Sequence, residues 1–82
     1  MIEFPKIEEK QVALLRAELT TGIVLGEDFQ KYMKSENQVV YTVFQSLKKA
    51  QEYITQQKEI HLNMEYHVYD IEQKEIYTEI HK

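Results

Sequence analysis

Eighty-two residues make one domain, and a chain this short buries only about 60–65% of the surface its unfolded form exposes. There is no cysteine, which excludes disulfides and thiolate metal sites and fits a reducing compartment. The net charge of −4 argues against general nucleic-acid binding, because that binding depends on neutralising phosphates.

The charge is unevenly spread. Residues 1–36 carry −2, residues 37–58 carry +2 and residues 59–82 carry −4. An acidic C-terminal region thus follows a mildly basic segment. The plain reading is solvated faces of opposite bias; the sharper one is an acidic docking surface for a basic partner. The opening MIEFPKIEEK lacks the basic and apolar regions of a signal peptide. No apolar run approaches the roughly 20 residues needed to span a bilayer. These features give the expectation of a soluble, cytoplasmic protein that does not engage membrane. With two glycines and one proline there is no linker or low-complexity tract, so residues 1–82 read as a single α+β domain.

Pro5 suits a first helical turn, and Glu8 and Glu9 suit the positive end of a helix dipole. Val12, Leu15 and Leu19 recur at helical spacing, with Leu14 widening the stripe, and Gly22 makes a left-handed stop. This predicts a helix near residues 6–20. Ile23-Val24-Leu25 reads as a short strand or a buried linker. Gly26 frees the backbone, Asp28 is a candidate cap, and Phe29, Tyr32 and Met33 share one helical face. A second helix is expected near 27–35, ended by Asn37.

Residues 39–44, VVYTVF, form the clearest strand, apolar on both faces. Ser46 is placed as an N-cap, and Leu47, Ala50 and Ile54 make one stripe, predicting a helix near 47–58. The 17 residues between Phe44 and Leu62 suffice for a crossover between parallel strands. Strands near 62–70 and 76–81 close a hairpin around residues 71–75. The expected fold is therefore α+β: two N-terminal helices, then a β-α-β-β unit with a small three-stranded mixed sheet.

The hairpin carries EYHVYDIEQKEIYTEIH, with Glu65, His67 and Tyr69 alternating on one arm and Tyr77, Glu79 and His81 on the other. Register decides which share a face. Val68 opposite Tyr77 mixes apolar and charged residues on both faces. Val68 opposite Ile76 sets Glu65 against Glu79, an unfavourable like-charge pair. Val68 opposite Thr78 sorts cleanly and predicts facing pairs Tyr69/Tyr77, His67/Glu79 and Glu65/His81, joined by an odd-numbered, glycine-free turn.

Two imidazoles and two carboxylates on that face make His67, His81, Glu65 and Glu79 candidate ligands for a divalent ion. The competing reading is cross-strand pairing on a wet ribbon, which explains the same alternation without metal. Tyrosine is enriched at protein interfaces, so Tyr69 and Tyr77, with His67 and Glu79, form a candidate partner-binding face. No catalytic constellation stands out: Ser46 is explained as a cap, Ser35 and His61 have no orienting partner, and no P-loop, dinucleotide or H-E-x-x-H motif occurs. No cofactor is implied. Lys48, Lys49 and Lys58, with Tyr41 and Tyr53, compose a minor nucleic-acid hypothesis.

The leading expectation is a small non-enzymatic interaction or regulatory module, as a monomer or a homodimer. The alternatives are a small His/Glu-dependent metal-binding enzyme and a nucleic-acid-binding regulator.

Overall fold

The structure, a computed structural model, describes residues 3–33 and 38–82. Five strands and one helix follow in the order β1 (Val12–Glu18), β2 (Val24–Leu25), β3 (Thr42–Phe44), α1 (Leu47–Gln57), β4 (Met64–Tyr69) and β5 (Glu75–His81). They form one antiparallel sheet. β1 is central, with β4 on one side and both β2 and β3 on the other; β5 lies beyond β4 at the edge. The molecule is thin, 31 × 28 × 17 Å, as expected for a single sheet with a helix over one face.

This corrects the expected architecture. The first predicted helix is the central strand β1. Val12, Leu14 and Arg16 point to the helix-covered face and Ala13 and Ala17 to the other, and all five are buried. A strand buried on both sides reads as a continuous apolar run, which satisfies helical spacing equally well. Leu, Ala, Arg and Glu favour helices in isolation, but pairing on both edges overrides that weak preference. Gly22 does adopt the left-handed conformation, at φ +72°, in the turn from β1 to β2.

The second predicted helix is instead a turn that folds back on β2. Gly26 N–H donates to Gln30 O (2.8 Å), Tyr32 N–H to Val24 O (2.9 Å), and Lys31 bridges Leu25. Asp28 caps this turn, its Oδ1 accepting from Gln30 N–H at 3.0 Å. Phe29 reaches the core, whereas Met33 is exposed, so the predicted Phe29–Tyr32–Met33 face does not exist. Ser35 and the Asn37 stop lie outside the described residues.

The second half follows the sequence reading more closely. Ser46 caps α1, its side chain accepting from Lys49 N–H at 3.2 Å. Ala50 and Ile54 are fully buried against the sheet. Strand β3 is shorter than expected, because Val39 is exposed and ladder pairing begins at Thr42. β3 and β4 each run antiparallel to β1, so they are parallel to one another with β1 between them, and α1 connects them. The core comprises Val12, Leu14, Leu25, Ala50, Ile54, Met64, Tyr66 and Val68, with Phe29, Phe44, Leu47, Tyr53 and Tyr77 packed around it.

Candidate functional site

The β4–β5 hairpin adopts the register that the sorting argument disfavours. Val68 lies opposite Tyr77, Tyr66 opposite Glu79 and Met64 opposite His81. The cause is a bulge: between Val68 and Tyr69 the pairing slips, so that Tyr69 faces Glu75 and Ile76 is the extra residue. A bulge shifts register by one and defeats parity arguments. The turn spans residues 70–74 without glycine. Asp70 Oδ1 accepts from Glu72 and Lys74 N–H (2.9 and 3.0 Å), and Gln73 takes the left-handed conformation at φ 63°.

The predicted face is therefore divided. Glu65, His67 and Tyr69 lie on the face away from α1. Tyr77, Glu79 and His81 lie on the helix side, opposite the buried Val68, Tyr66 and Met64. None of the three expected facing pairs forms, and the four candidate metal ligands do not converge. Among the described residues no group of three or more His, Asp or Glu side chains is placed to hold a metal ion.

Each half makes its own polar cluster. His67 sits between two carboxylates, with Nε2 2.7 Å from Glu65 Oε1 and Nδ1 against Glu75 Oε1; Thr78 also donates to Glu75 (2.9 Å). On the helix side Glu79 bridges Tyr77 and His81: the tyrosine hydroxyl donates to Oε1, and His81 Nε2 lies 2.5 Å from Oε2. His81 is buried, with its ring against Tyr66 at 5.3 Å. Glu79 thus satisfies Tyr77 and one nitrogen of His81, while the buried His81 Nδ1 has no hydrogen-bond partner among the described residues.

Burial pulls the His67 pKa down, but hydrogen bonds and charge from Glu65 and Glu75 outweigh it and hold the group above the ordinary 6.5. The hydrogen bond to His67, aided by Thr78, holds Glu75 below the ordinary 4.5. The histidine contribution to stability is complete below 6.5 and is lost as pH rises through its raised value. The Glu75 contribution is present above 4.5 and is lost as pH falls through its lowered value. Stability should therefore be greatest between these limits. Urea midpoints measured against pH should show a decline on the alkaline side of under about 1 kcal/mol, since these groups are partly exposed. That limb should flatten in His67→Gln; an unchanged profile in the variant would count against the pairing.

No protein-family model, curated protein or solved structure matches this chain. The reading of the site therefore rests on its chemistry alone.

A second polar centre was not expected. Arg16, on β1, is fully buried between Phe29 and Tyr53, its guanidinium carbon 5.5 and 5.8 Å from the ring centroids. Its Nη2 donates to Thr42 Oγ1, and the Thr42 hydroxyl in turn donates to Glu27 Oε2 at 3.3 Å. Among the described residues Nε and Nη1 make no hydrogen bond of ordinary length, although the Tyr53 hydroxyl and the Glu27 carboxylate both act on the guanidinium; the buried Tyr66 hydroxyl has no partner either, and burial pushes its pKa up to about 12. His61, also without a partner in the sequence reading, stacks on Phe29 at 3.8 Å. The signal available in sequence was a lone arginine within the apolar run VALLRA, which a helix assignment places harmlessly at the surface.

The remaining candidates are scattered. Lys48, Lys49 and Lys58 are exposed on and just after α1, but Tyr53 is packed beside Arg16 and Phe44. Tyr41 lies on the opposite face, in a ring cluster with Phe4 (5.3 Å) and Tyr69 (6.4 Å). The lysines and the two tyrosines thus form no common stacking surface. No helix among the described residues is long and apolar enough to cross a membrane.

Proposed function

We propose that this chain is a non-enzymatic protein-interaction module that works through strand β5 and the sheet face away from α1. The observation that carries this reading is the edge strand. β5 is seven residues long, pairs among the described residues only with β4, and presents Ile76 and Ile80 at 40% and 51% exposure. An unpaired edge with exposed apolar side chains is a template for another strand, supplying main-chain hydrogen bonds for affinity and side chains for specificity. Among the residues picked out by sequence, His67 and Tyr69 lie on the open face, whereas Tyr77 and Glu79 belong to the edge strand itself. Phe4 and Tyr41 extend the open face beside Tyr69.

The histidines support this assignment over proton-transfer or metal chemistry. Both ring nitrogens of His67 already engage carboxylates, so neither is free for a substrate or an ion. His81 is held by Glu79 and shielded from solvent. The lack of cysteine fits a cytoplasmic setting for such a module.

The test compares immobilised wild type with the double variant Ile76→Lys/Ile80→Lys, each first shown to be folded by circular dichroism. Proteins held by the wild type, including an untagged copy of the chain itself, should be released by the variant. Equal retention by both would overturn the proposal.

A further inference from the structure

We infer that the occupant of the β5 edge is a second copy of this chain, paired antiparallel about a two-fold axis through Thr78. This rests on the interaction-module reading and names its partner.

The argument begins with symmetry. Two identical edge strands joined in one continuous sheet are related by a two-fold axis normal to that sheet, which keeps each residue on its own face. Opposed residues must then share a face, so the axis passes through a residue and not between two. Centred on Thr78, the pairs are Thr78 with Thr78, Ile76 with Ile80, and Tyr77 with Glu79 of the other copy. The two exposed isoleucines, both on the open side, would meet one another twice. Threonine pairs and apolar pairs are favourable across antiparallel strands, and Tyr77, whose hydroxyl is already held by Glu79 of its own chain, meets the other copy's Glu79 without setting like charges together.

The neighbouring solutions are worse. An axis through Glu79 sets that carboxylate against itself. An axis through Tyr77 sets Glu75 against Glu79. Like charges directly opposite are unfavourable. An axis through Ile80 sets Glu79 opposite His81, which is buried against Tyr66 and already held by Glu79 of its own chain, so that pair gains nothing. The sequence I-Y-T-E-I is thus self-complementary about its central threonine and about no other residue.

The fold leaves room for this arrangement. α1 packs chiefly over β1, β3 and β4 and reaches β5 only through Gln51 at Tyr77, on the helix side, which leaves the outer backbone edge of β5 uncovered among the described residues. The axis puts both helices on the same side of a joined ten-stranded sheet, and the aromatic groups of Phe4, Tyr41 and Tyr69 on the other. The bulge at Ile76 ends the regular ladder there, so Ile76 meets Ile80 of the other copy through side-chain contact and not through a regular main-chain pair.

The chain has no cysteine, so single cysteines report the register cleanly. Sedimentation should give a dimer, and oxidised Thr78→Cys should crosslink to a covalent dimer. Ile80→Cys alone should not, because its two copies would be about 13 Å apart along the strands, beyond the roughly 7 Å that a disulfide spans. Ile80→Lys, present twice per interface, should raise the dimer dissociation constant at least about tenfold. A monomer in sedimentation, or equal crosslinking of the two cysteine variants, overturns the inference. A monomer that still holds another protein through Ile76 and Ile80 overturns this dimer and leaves the interaction-module reading standing. A dimer unaffected by lysine at both positions overturns both.

Discussion

Leu14→Ala should destabilise the fold by about 2–5 kcal/mol, whereas Leu15→Ala should cost distinctly less. Leu14 is fully buried on the helix-covered face, opposite Val68 and beside the cluster containing Ile54 and Tyr66. Truncation removes three carbon atoms from the centre of a close-packed core whose neighbours are held by the ladder and by α1, so the cavity collapses little. Leu15 points the other way, opposite His67, on a face with no helix, and is only half-buried. The pair separates the two structural readings of this segment. In a helix built on Val12, Leu15 and Leu19, Leu15 lies at the centre of the buried stripe and costs at least as much as Leu14. Urea denaturation of the two variants decides it: a larger loss at Leu15 than at Leu14 would contradict β1 as a central strand.

That contrast shows why the N-terminal half was illegible. VALLRAEL places apolar residues at both periods, because a strand buried on two faces needs no alternation. Its residues are strong helix formers, and the deciding influence, pairing with β4 more than 45 residues away, leaves no local mark. α1 was legible because Ser46 and the Ala50–Ile54 stripe are local features with a local cause. The hairpin arms were legible for the same reason, since each alternates at period two.

The register of the hairpin was not. It depends on one bulged residue, Ile76, whose effect is to reverse the parity on which the sorting argument rested. The residue types of the candidate site were found, but their grouping was not: His67 pairs with Glu75, beyond the bulge, and not with Glu79. Val68 opposite Thr78 places Ile76 and Ile80 on the same face as Val68, as inner residues of the hairpin, whereas the bulged register leaves both exposed at the edge. Correcting the register moves interest from the ionisable side chains to the strand that carries them.

Arg16→Met should stabilise the protein by about 1–3 kcal/mol, although it removes the most completely enclosed charge in the described structure. Taking a guanidinium out of water costs several kcal/mol even after relaxation. Here the return is incomplete. One nitrogen donates to Thr42, the two aromatic rings contribute on the order of 1 kcal/mol each at most, the Tyr53 hydroxyl and the exposed Glu27 add weak support, and Nε and Nη1 make no hydrogen bond of ordinary length. Unmade hydrogen bonds of this kind cost about 1–3 kcal/mol each. Methionine has a similar unbranched stem and a sulfur that packs well against Phe29 and Tyr53. Thr42 would keep its hydrogen bond to the exposed Glu27, and Tyr53, which loses the guanidinium, is only half-buried. Arg16→Lys should instead lose stability, because a compact ammonium is more strongly hydrated and stacks less well. The urea midpoint should thus rise for methionine and fall for lysine. A fall for both would mean that the guanidinium is worth more in this core than its visible partners supply. A gain for methionine carries a structural consequence as well. Arg16 ties β1 through Thr42 to Glu27 in the turn after β2, so removing it should speed amide exchange in residues 26–30 while the core becomes harder to unfold. The turn that Arg16 fastens lies on the side of the sheet remote from β5, so faster exchange there should leave the β5 edge unchanged.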